Sequence, residues 1–461
     1  PMTSIDIPRP RRGRFKRVGH HASRAETRAL VRLAAPLTCL ALVNMAMSVT
    51  DTLMSAAFGV EALAAVAVGS DFYSIFFYLA IGCIGGLAPL YSAAHAAGDT
   101  ARLARLRTAG AVTCTLLALP ICALLWHAPS VLHLLGIDPR LVDAGAGYTR
   151  AMALTAIPML AVGVLRTRLT AIERPGVMLR ITLCAVPLNA LFNHALMHGA
   201  MGLPGLGVTG AGVSSLLVGT LTLAALGVEA RRAGDSGLGR ASPADVAEIF
   251  RIGVPIGIAT LAEVGIYLGA TLYAASLSVT DAAAHSLAIR LAGIGYAFYF
   301  GLQQASMTRL ARVGLAPGYS REVIGSAMVL GWAAGMCLCL TLLAVAAPLA
   351  QAMLQASAPA AVQVATLVIC ALAMAELSGP AGACAAGLLR GIKVTRPVMV
   401  YSLIGNWLIA APLVAIATLV FDMGAVGIWI GMATGTAAYS ALSMLALWRH
   451  TRVVAAGAPT P

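Results

Sequence analysis

Charged residues are scarce in this chain. Only 11% of its 461 residues are Asp, Glu, Lys or Arg, whereas soluble domains carry about 25%. Hydrophobic residues make up 59% of the sequence. This balance excludes an ordinary soluble protein and predicts an integral membrane protein.

Catalytic motifs of membrane-embedded enzymes are also missing. The sequence has no Asp-rich segment, no His-Glu-x-x-His and no Gly-x-Ser-x-Gly, and these motifs serve metal-bound diphosphate, zinc and acyl-transfer chemistry. We therefore expect neither an enzyme nor a bound cofactor. A channel is disfavoured because no segment resembles a ring-forming selectivity filter. The nine cysteines lie in apolar runs, where packing explains them better than disulfides or a metal cluster.

What the sequence does have is twelve long apolar runs. About 20 apolar residues suffice for a helix to cross a hydrocarbon core of about 30 Å, and a helix satisfies its own backbone hydrogen bonds there. We therefore predict an all-α protein with twelve membrane spans. They cover residues 34–57, 62–92, 108–126, 146–165, 176–198, 206–228, 250–278, 282–308, 325–349, 362–389, 397–420 and 425–447.

The distribution of Lys and Arg predicts the orientation of these spans, because basic loops stay in the cytoplasm. If the basic N-terminal segment is cytoplasmic, all of the 31 Lys and Arg residues except Arg140, Arg150 and Arg290 fall on that side. We therefore expect a multi-pass protein of the cell (inner) membrane with both termini cytoplasmic. The first apolar run is too long for a signal peptide and should remain as a helix. The net charge of +13 is spread over seven segments, so we expect no nucleic-acid partner.

The two halves of the chain resemble each other. At an offset of about 219 residues, Pro36 aligns with Pro255 and Asn44 with Glu263, and "GVTGAGVSSLLVG" later resembles "GAVGIWIGMATG". Such repeats are common in transporters. Each half has six spans, so the copies share one orientation and form two pseudo-symmetric lobes. The predicted segments are a basic tail (1–33), an N lobe (34–230), a cytoplasmic linker (231–248), a C lobe (249–448) and a cytoplasmic tail (449–461).

Five ionisable residues fall at membrane depth, where each costs about 2.5–3.5 kcal/mol on insertion scales and indicates function. They are Asp51, Asp71, Glu263, Arg290 and Glu376. Asn189 and Asn193 are four residues apart and so share one helix face. An acid in a wet cavity can exchange a proton for Na⁺ or for a cationic solute, which is the chemistry of an antiporter.

Five stretches carry recognisable motifs: "SVTDTLMSAAFGVEALAAVAVGS" in the first span, "VPLNALFNHALMHGAMGLPGLGVTGAGVSS" in the fifth and sixth, "VPIGIATLAEVGIYLGATLYAASL" in the seventh, "AAAHSLAIRL" in the eighth, and "AAGLLRGIKVTRP" followed by "VGIWIGMATG" in the tenth to twelfth. These motifs resemble those of the multidrug and toxic compound extrusion (MATE) family. The resemblance runs from about Leu33 to Leu447. It implies two six-helix lobes in a V, a central cavity, and export of lipophilic, often cationic compounds driven by Na⁺ or H⁺.

The resemblance also assigns residues. Asp51 matches the acid of the first span, Asn189 and Asn193 match the polar pair of the fifth, and Glu263 matches the seventh-span acid of the NorM-like branch. In the tenth span, Gly379 stands where that branch has an aspartate, and Glu376 lies three residues earlier. Arg290 replaces what is usually a neutral residue, and Asn193 stands where the DinF-like branch has an aspartate.

These matches define two groups of candidate residues. Cation coupling is assigned to Asp51, Asn189, Asn193 and Glu263, with Na⁺ as one candidate ion at the first three. The substrate cavity is assigned to Asn44, Glu263, Arg290 and Glu376. Electrostatics favours coupling in the N lobe, because an arginine paired with Glu263 or Glu376 would leave the C lobe unable to hold Na⁺; coupling in the C lobe or in both stays open.

The expected function is secondary-active export of lipophilic, cationic compounds by a monomer in the bilayer. The alternatives are a flippase for a lipid-linked precursor and an exporter of organic anions. A flippase for an anionic headgroup needs several basic residues in its cavity, and only Arg290 qualifies. Arg290 nevertheless leaves an anionic substrate open.

Overall fold

A computed structural model describes residues 22–137, 139–199, 205–235, 237–314, 319–354 and 359–455. The predicted basic tail before residue 22 and residues 456–461 lie outside these ranges. Every regular element in the described ranges is a helix, in agreement with the predicted all-α class.

The first half of the chain forms α1 (Arg24–Ala56), α2 (Val60–Gly85), α3 (Leu87–Ala97), α4 (Thr100–Trp126), α5 (Ala128–Leu134), α6 (Pro139–Ala171), α7 (Pro175–His198) and α8 (Val208–Arg232). The second half forms α9 (Pro243–Leu277), α10 (Val279–Val313), α11 (Tyr319–Leu354), α12 (Pro359–Gly391), α13 (Arg396–Leu403), a π-helical turn (Ile404–Ala410), α14 (Ala411–Leu419) and α15 (Gly424–Ala455).

The prediction of twelve spans agrees with this helix set. Within the described residues, eleven helical stretches are long and apolar enough to cross a membrane, with α2 and α3 forming one and α13 to α14 forming another. The twelfth is α10, which is long enough but carries Asp281, Arg290 and Arg309 and is therefore less apolar. The predicted span 62–92 is divided at Gly86, where α2 ends and α3 begins.

Each half packs mainly within itself. In the first half α6 lies against α2, α4 and α8, and in the second α12 lies against α10, α11 and α15. The halves meet where α1 packs on α10 and where α2 crosses α9. At this crossing a Cβ atom on Gly86 would lie 2.7 Å from the backbone nitrogen of Gly253. Glycine is therefore needed for the two backbones to approach so closely.

One end of the bundle, where α1 begins, carries most of the basic residues; we call it the basic end. A buried apolar cluster there combines both halves and includes Leu30, Leu169, Leu302 and Leu388. Because this cluster draws on α1, α6, α10 and α12, separating the halves at the basic end would expose apolar surface to water.

Two ion-pair groups also join the halves at the basic end. Arg309 at the end of α10 donates to Glu26 at 2.7 and 2.8 Å and to Glu173 at 2.7 Å. Glu248 in α9 accepts from Arg102 of α4 at 3.0 Å and from Lys393 at 3.1 Å. The first group links α10 to two acids of the first half, and the second links α9 to a base of the first half.

The turns that carry Glu173 and Lys393 have the same backbone conformation. Glu173 follows α6 with φ 59°, and Lys393 follows α12 with φ 65°. In each turn the residue donates its N–H to the carbonyl three positions back, and the next residue donates to the carbonyl five positions back. The repeated halves therefore share this helix ending as well as their helix order.

A buried carboxylate holds the segment that follows α8. Asp235 is 7% exposed and accepts hydrogen bonds from Tyr91, from Arg107 at 2.9 Å and from Arg168 at 2.8 Å. Arg107 also donates to the carbonyl of Gly237 at 2.6 Å. The start of the segment between the halves is thus attached to α3, α4 and α6.

Candidate coupling and binding sites

The structure brings Asp51, Asn189 and Asn193 together where α1 packs on α7. The Asn193 Nδ2 donates to Asp51 Oδ1 at 2.5 Å and faces Asn189 Oδ1 at 3.4 Å. Both asparagines are fully buried, while Asp51 is half-buried. The two asparagines meet because residues four apart lie on one face of a helix. The backbone carbonyl of Asn189 also accepts from Ser214 of α8 at 3.2 Å.

This group has unused hydrogen-bonding capacity. Asn189 Nδ2 and Asn193 Oδ1 are buried and have no hydrogen-bond partner among the described residues. The donor set of one carboxylate and two amide oxygens suits a hard cation such as Na⁺, and the carboxylate alone suffices for a proton. Asn193 now presents its N–H to Asp51, so Na⁺ at this position requires the amide to turn its oxygen toward the carboxylate.

Glu263 lies apart from this group, in a cavity of about 240 Å³ between α9, α10, α12 and α15. The cavity is lined by aromatic side chains, five of them tyrosines: Tyr78, Tyr267, Tyr296, Tyr299 and Tyr439. Tyr78 belongs to α2, so the first half also contributes to the wall. Glu263 Oε1 and the Tyr439 hydroxyl are buried and have no hydrogen-bond partner among the described residues. A carboxylate among aromatic rings is a suitable environment for an organic cation.

Arg390 is a functional candidate that sequence reasoning missed, because Arg390 was assigned to the cytoplasmic loop after the tenth span. In the structure α12 extends to Gly391 and Arg390 is 5% exposed. Its Nη1 donates to Gln303 at 2.7 Å, and its Nε and Nη2 have no partner among the described residues. The small and apolar neighbours in "GLLRG" were the signal that this arginine is buried.

The other ionisable and polar residues that the sequence singled out do not join the Asp51 group. Glu376 is 3% exposed and its carboxylate lies against Gly295 and Tyr299. Arg290 is exposed, and in the described part of the chain it forms no ion pair with Glu263 or Glu376. Asn44 and Asp71 are exposed as well. The buried base joined to the Glu263 cavity is Arg390, which bonds to Gln303 in the cavity wall.

The angular spacing of residues along α10 explains why Arg290 does not face the Glu263 cavity. The residues of α10 that line the Glu263 cavity include Ile289, Ala292, Gly293 and Tyr296, which follow the period of one helix face. Arg290 is one residue beyond Ile289 and so points about 100° away from that face. Asn44 and Arg290 are also outside the lining of this cavity.

Comparison with known families agrees with this arrangement. The MatE family model matches residues 36–194 and 255–416, one segment in each half. The chain belongs to the MATE family. This membership explains why the two halves repeat, since the model matches each of them separately.

Two curated relatives of this MATE chain come from bacteria. A "Probable multidrug resistance protein NorM" of Pseudomonas putida is 32% identical over 451 residues, covering 94% of this chain and 97% of the relative. A protein of the same name from Mesorhizobium japonicum is 31% identical over 453 residues, covering 93% and 95%. The NorM-like assignment of the sequence is therefore confirmed.

Solved structures share the fold of this MATE chain. A eukaryotic MATE transporter has a TM-score of 0.81 at 18% identity, covering 93% of this chain and 98% of that one. An outward-facing MATE family transporter has a TM-score of 0.82 at 16% identity, covering 93% and 96%. The predicted two-lobe architecture of twelve spans is therefore confirmed.

Proposed function

We propose that this protein is a secondary-active exporter of lipophilic cations, driven by H⁺ or Na⁺ through alternating access, in the inner membrane of a bacterial cell. The names of its NorM relatives support multidrug export. We assign both termini to the cytoplasm, because the basic residues gather at the end where α1 begins. In that orientation the ion pairs of Arg309 and Glu248 close the cytoplasmic side.

The observation that carries this proposal is the contact of Asp51 with a buried amide pair. An acid is expensive at membrane depth, and Asp51 is held there by Asn193 at 2.5 Å. Asn193 Oδ1 has no hydrogen-bond partner among the described residues, so the group retains an acceptor for a proton or, once the amide turns, for a cation. The coupling residues in our proposal are Asp51, Asn189 and Asn193. Binding there changes transport only by its different free energy in the two states.

We assign the substrate to the cavity that contains Glu263. Aromatic rings attract a desolvated cation by about 2 kcal/mol or more, and the cavity combines several rings with one carboxylate. Arg390 bonds to Gln303 in the wall of the same cavity, so its positive charge opposes a cationic substrate there. Glu263 thus belongs to substrate binding in this proposal, although the sequence also assigned it to coupling.

A second candidate, export of organic anions, is favoured by one observation. Arg390 is buried and two of its donor nitrogens lack partners among the described residues. Guanidinium donors of this kind suit a carboxylate or a phosphate. An anionic substrate would therefore contact Arg390 rather than Glu263.

Proteoliposomes test both candidates. We expect Asp51→Asn to abolish uptake of ethidium driven by an imposed H⁺ or Na⁺ gradient, while equilibrium binding of ethidium stays within about two-fold. Asp71→Asn is the matched control, since it neutralises an exposed acid of the same half and should leave uptake unchanged. Normal uptake by Asp51→Asn, or uptake by the wild type without any gradient, would contradict the proposal.

Exchanging the probe separates the two substrate classes. Glu263→Gln should weaken ethidium binding, and Arg390→Gln should strengthen it because Glu263 loses its competing cation. If carboxyfluorescein is transported instead and Arg390→Gln abolishes that transport, organic anions are the substrates.

A further inference from the structure

A groove between α7 and α8 lies outside the sites described above. Its volume is about 630 Å³. Leu188 of α7 and Leu221 of α8 line it and are 37% and 49% exposed, so the groove opens on the surface of the protein. Asn189, the next residue after Leu188, instead accepts from Asn193, the residue that contacts Asp51 of α1. The groove therefore lies on a different face of α7 from the Asp51 group.

The length of the groove matches one leaflet of a bilayer. Its lining residues on α7 extend from Val177 to Leu188, about 16 Å along a helix at 1.5 Å per residue. The hydrocarbon core is about 30 Å thick, so the groove covers about half of it. Its deep end is apolar, with Leu188, Val218 and Leu221 in the walls.

The shallow end of the groove is charged. Arg180, Glu229 and Arg232 line it near the start of α7 and the end of α8. Arg232 donates to Glu229 at 2.7 Å, which compensates one positive charge. Arg180 is exposed and forms no ion pair within the ranges that the structure describes. One positive charge therefore remains at the mouth of an apolar groove.

We propose that this groove binds an anionic phospholipid, with an acyl chain along Leu188 and Leu221 and the phosphate at Arg180. Arg180 is about 7.5 Å along α7 from Pro175, which is the depth expected for a group that meets lipid headgroups. Guanidinium groups bind phosphate through two parallel hydrogen bonds, and basic pockets between spans on the cytoplasmic side bind anionic headgroups. A net negative lipid compensates the free charge of Arg180, whereas a zwitterionic lipid does not.

Native mass spectrometry of the full-length protein in detergent tests this assignment. Palmitoyl-oleoyl phosphatidylglycerol and phosphatidylcholine are titrated separately, since they share acyl chains and differ in headgroup charge. We expect the wild type to bind phosphatidylglycerol about 5-fold more tightly than phosphatidylcholine. This ratio corresponds to about 1 kcal/mol per basic residue near the surface. Arg180→Gln should remove this preference.

Arg231→Gln is the matched control, because Arg231 is an exposed arginine in the last turn of α8 and does not line the groove. It should keep the preference. Leu221→Trp fills the apolar end and should weaken binding of both lipids, which provides a second variant if Arg180→Gln does not fold. An unchanged preference in Arg180→Gln, an equal loss in Arg231→Gln, or displacement of the lipid by millimolar inorganic phosphate would overturn the proposal.

Discussion

Arg309 should control how readily the two halves separate at the basic end. It makes three charge-assisted hydrogen bonds of 2.7 to 2.8 Å to Glu26 and Glu173, both in the other half. The side chains of Arg309, Glu26 and Glu173 are 20%, 13% and 30% exposed. Removing one partner of a buried ion pair costs about 3–5 kcal/mol, and this partial exposure favours the lower limit. Arg309→Met should therefore destabilise the closed arrangement by about 3 kcal/mol, a factor of about 100 in the equilibrium between closed and separated halves.

Electron spin resonance distances measure this equilibrium. Spin labels at Arg231 and Arg449, which are exposed at the ends of α8 and α15, report the separation of the halves at the basic end. In Arg309→Met we expect a second, shifted distance population that the wild type lacks or contains at a low level. Arg309→Lys keeps the charge without the planar fork of donors and should give an intermediate population.

The control for this prediction is Arg232→Gln. It removes an ion pair of the same 2.7 Å length, but the partner Glu229 lies in the same helix. Its distance distribution should equal that of the wild type. The reasoning about Arg309 fails if Arg309→Met leaves the distribution unchanged, or if Arg232→Gln alters it to the same extent.

Two further predictions concern stability. Asp235→Asn leaves Arg107 and Arg168 without their anion, and the side chains of these arginines are only 9% and 12% exposed. We therefore expect the free energy of unfolding to fall by about 3 kcal/mol, with a lower midpoint of thermal unfolding in detergent. An unchanged midpoint would refute the role of this carboxylate. Gly253→Ala places a Cβ atom against the backbone of α2 and should cost about 1–3 kcal/mol by overpacking. Gly227→Ala, where a Cβ meets nothing within 4 Å, is its control, and equal midpoints for the two variants would contradict the argument.

Much of the fold was predictable because each span is a continuous apolar run. The exception in composition, α10, was still recognisable from its length and its motif. The proximity of Asn189 and Asn193 followed from helical periodicity. Their contact with Asp51 could be expected only through the family resemblance, because nothing local in the sequence joins α1 to α7.

The Glu263 site was harder to predict for two physical reasons. Its tyrosines come from α2, α9, α10 and α15, and periodicity within one span does not reveal which faces of distant spans meet. Arg390 was assigned to a loop because a charge near the end of an apolar run usually marks the membrane surface. The tenth span instead extends past Arg390, and the burial of that arginine depends on neighbours such as Gln303 that are remote in sequence.

The turns at Glu173 and Lys393 show one reason why neither half of the protein could be replaced by a copy of the other. A left-handed residue other than glycine costs about 1–2 kcal/mol, yet both turns keep a charged side chain. Glu173 forms an ion pair with Arg309, and Lys393 forms one with Glu248. A protein assembled from two first halves would place an acid at both corners and would contain neither Arg309 nor Glu248, which lie in α10 and α9. After duplication, opposite charges at matching corners give the two copies different partners: Glu173 pairs with Arg309 of the other half, and Lys393 pairs with Glu248 of its own half.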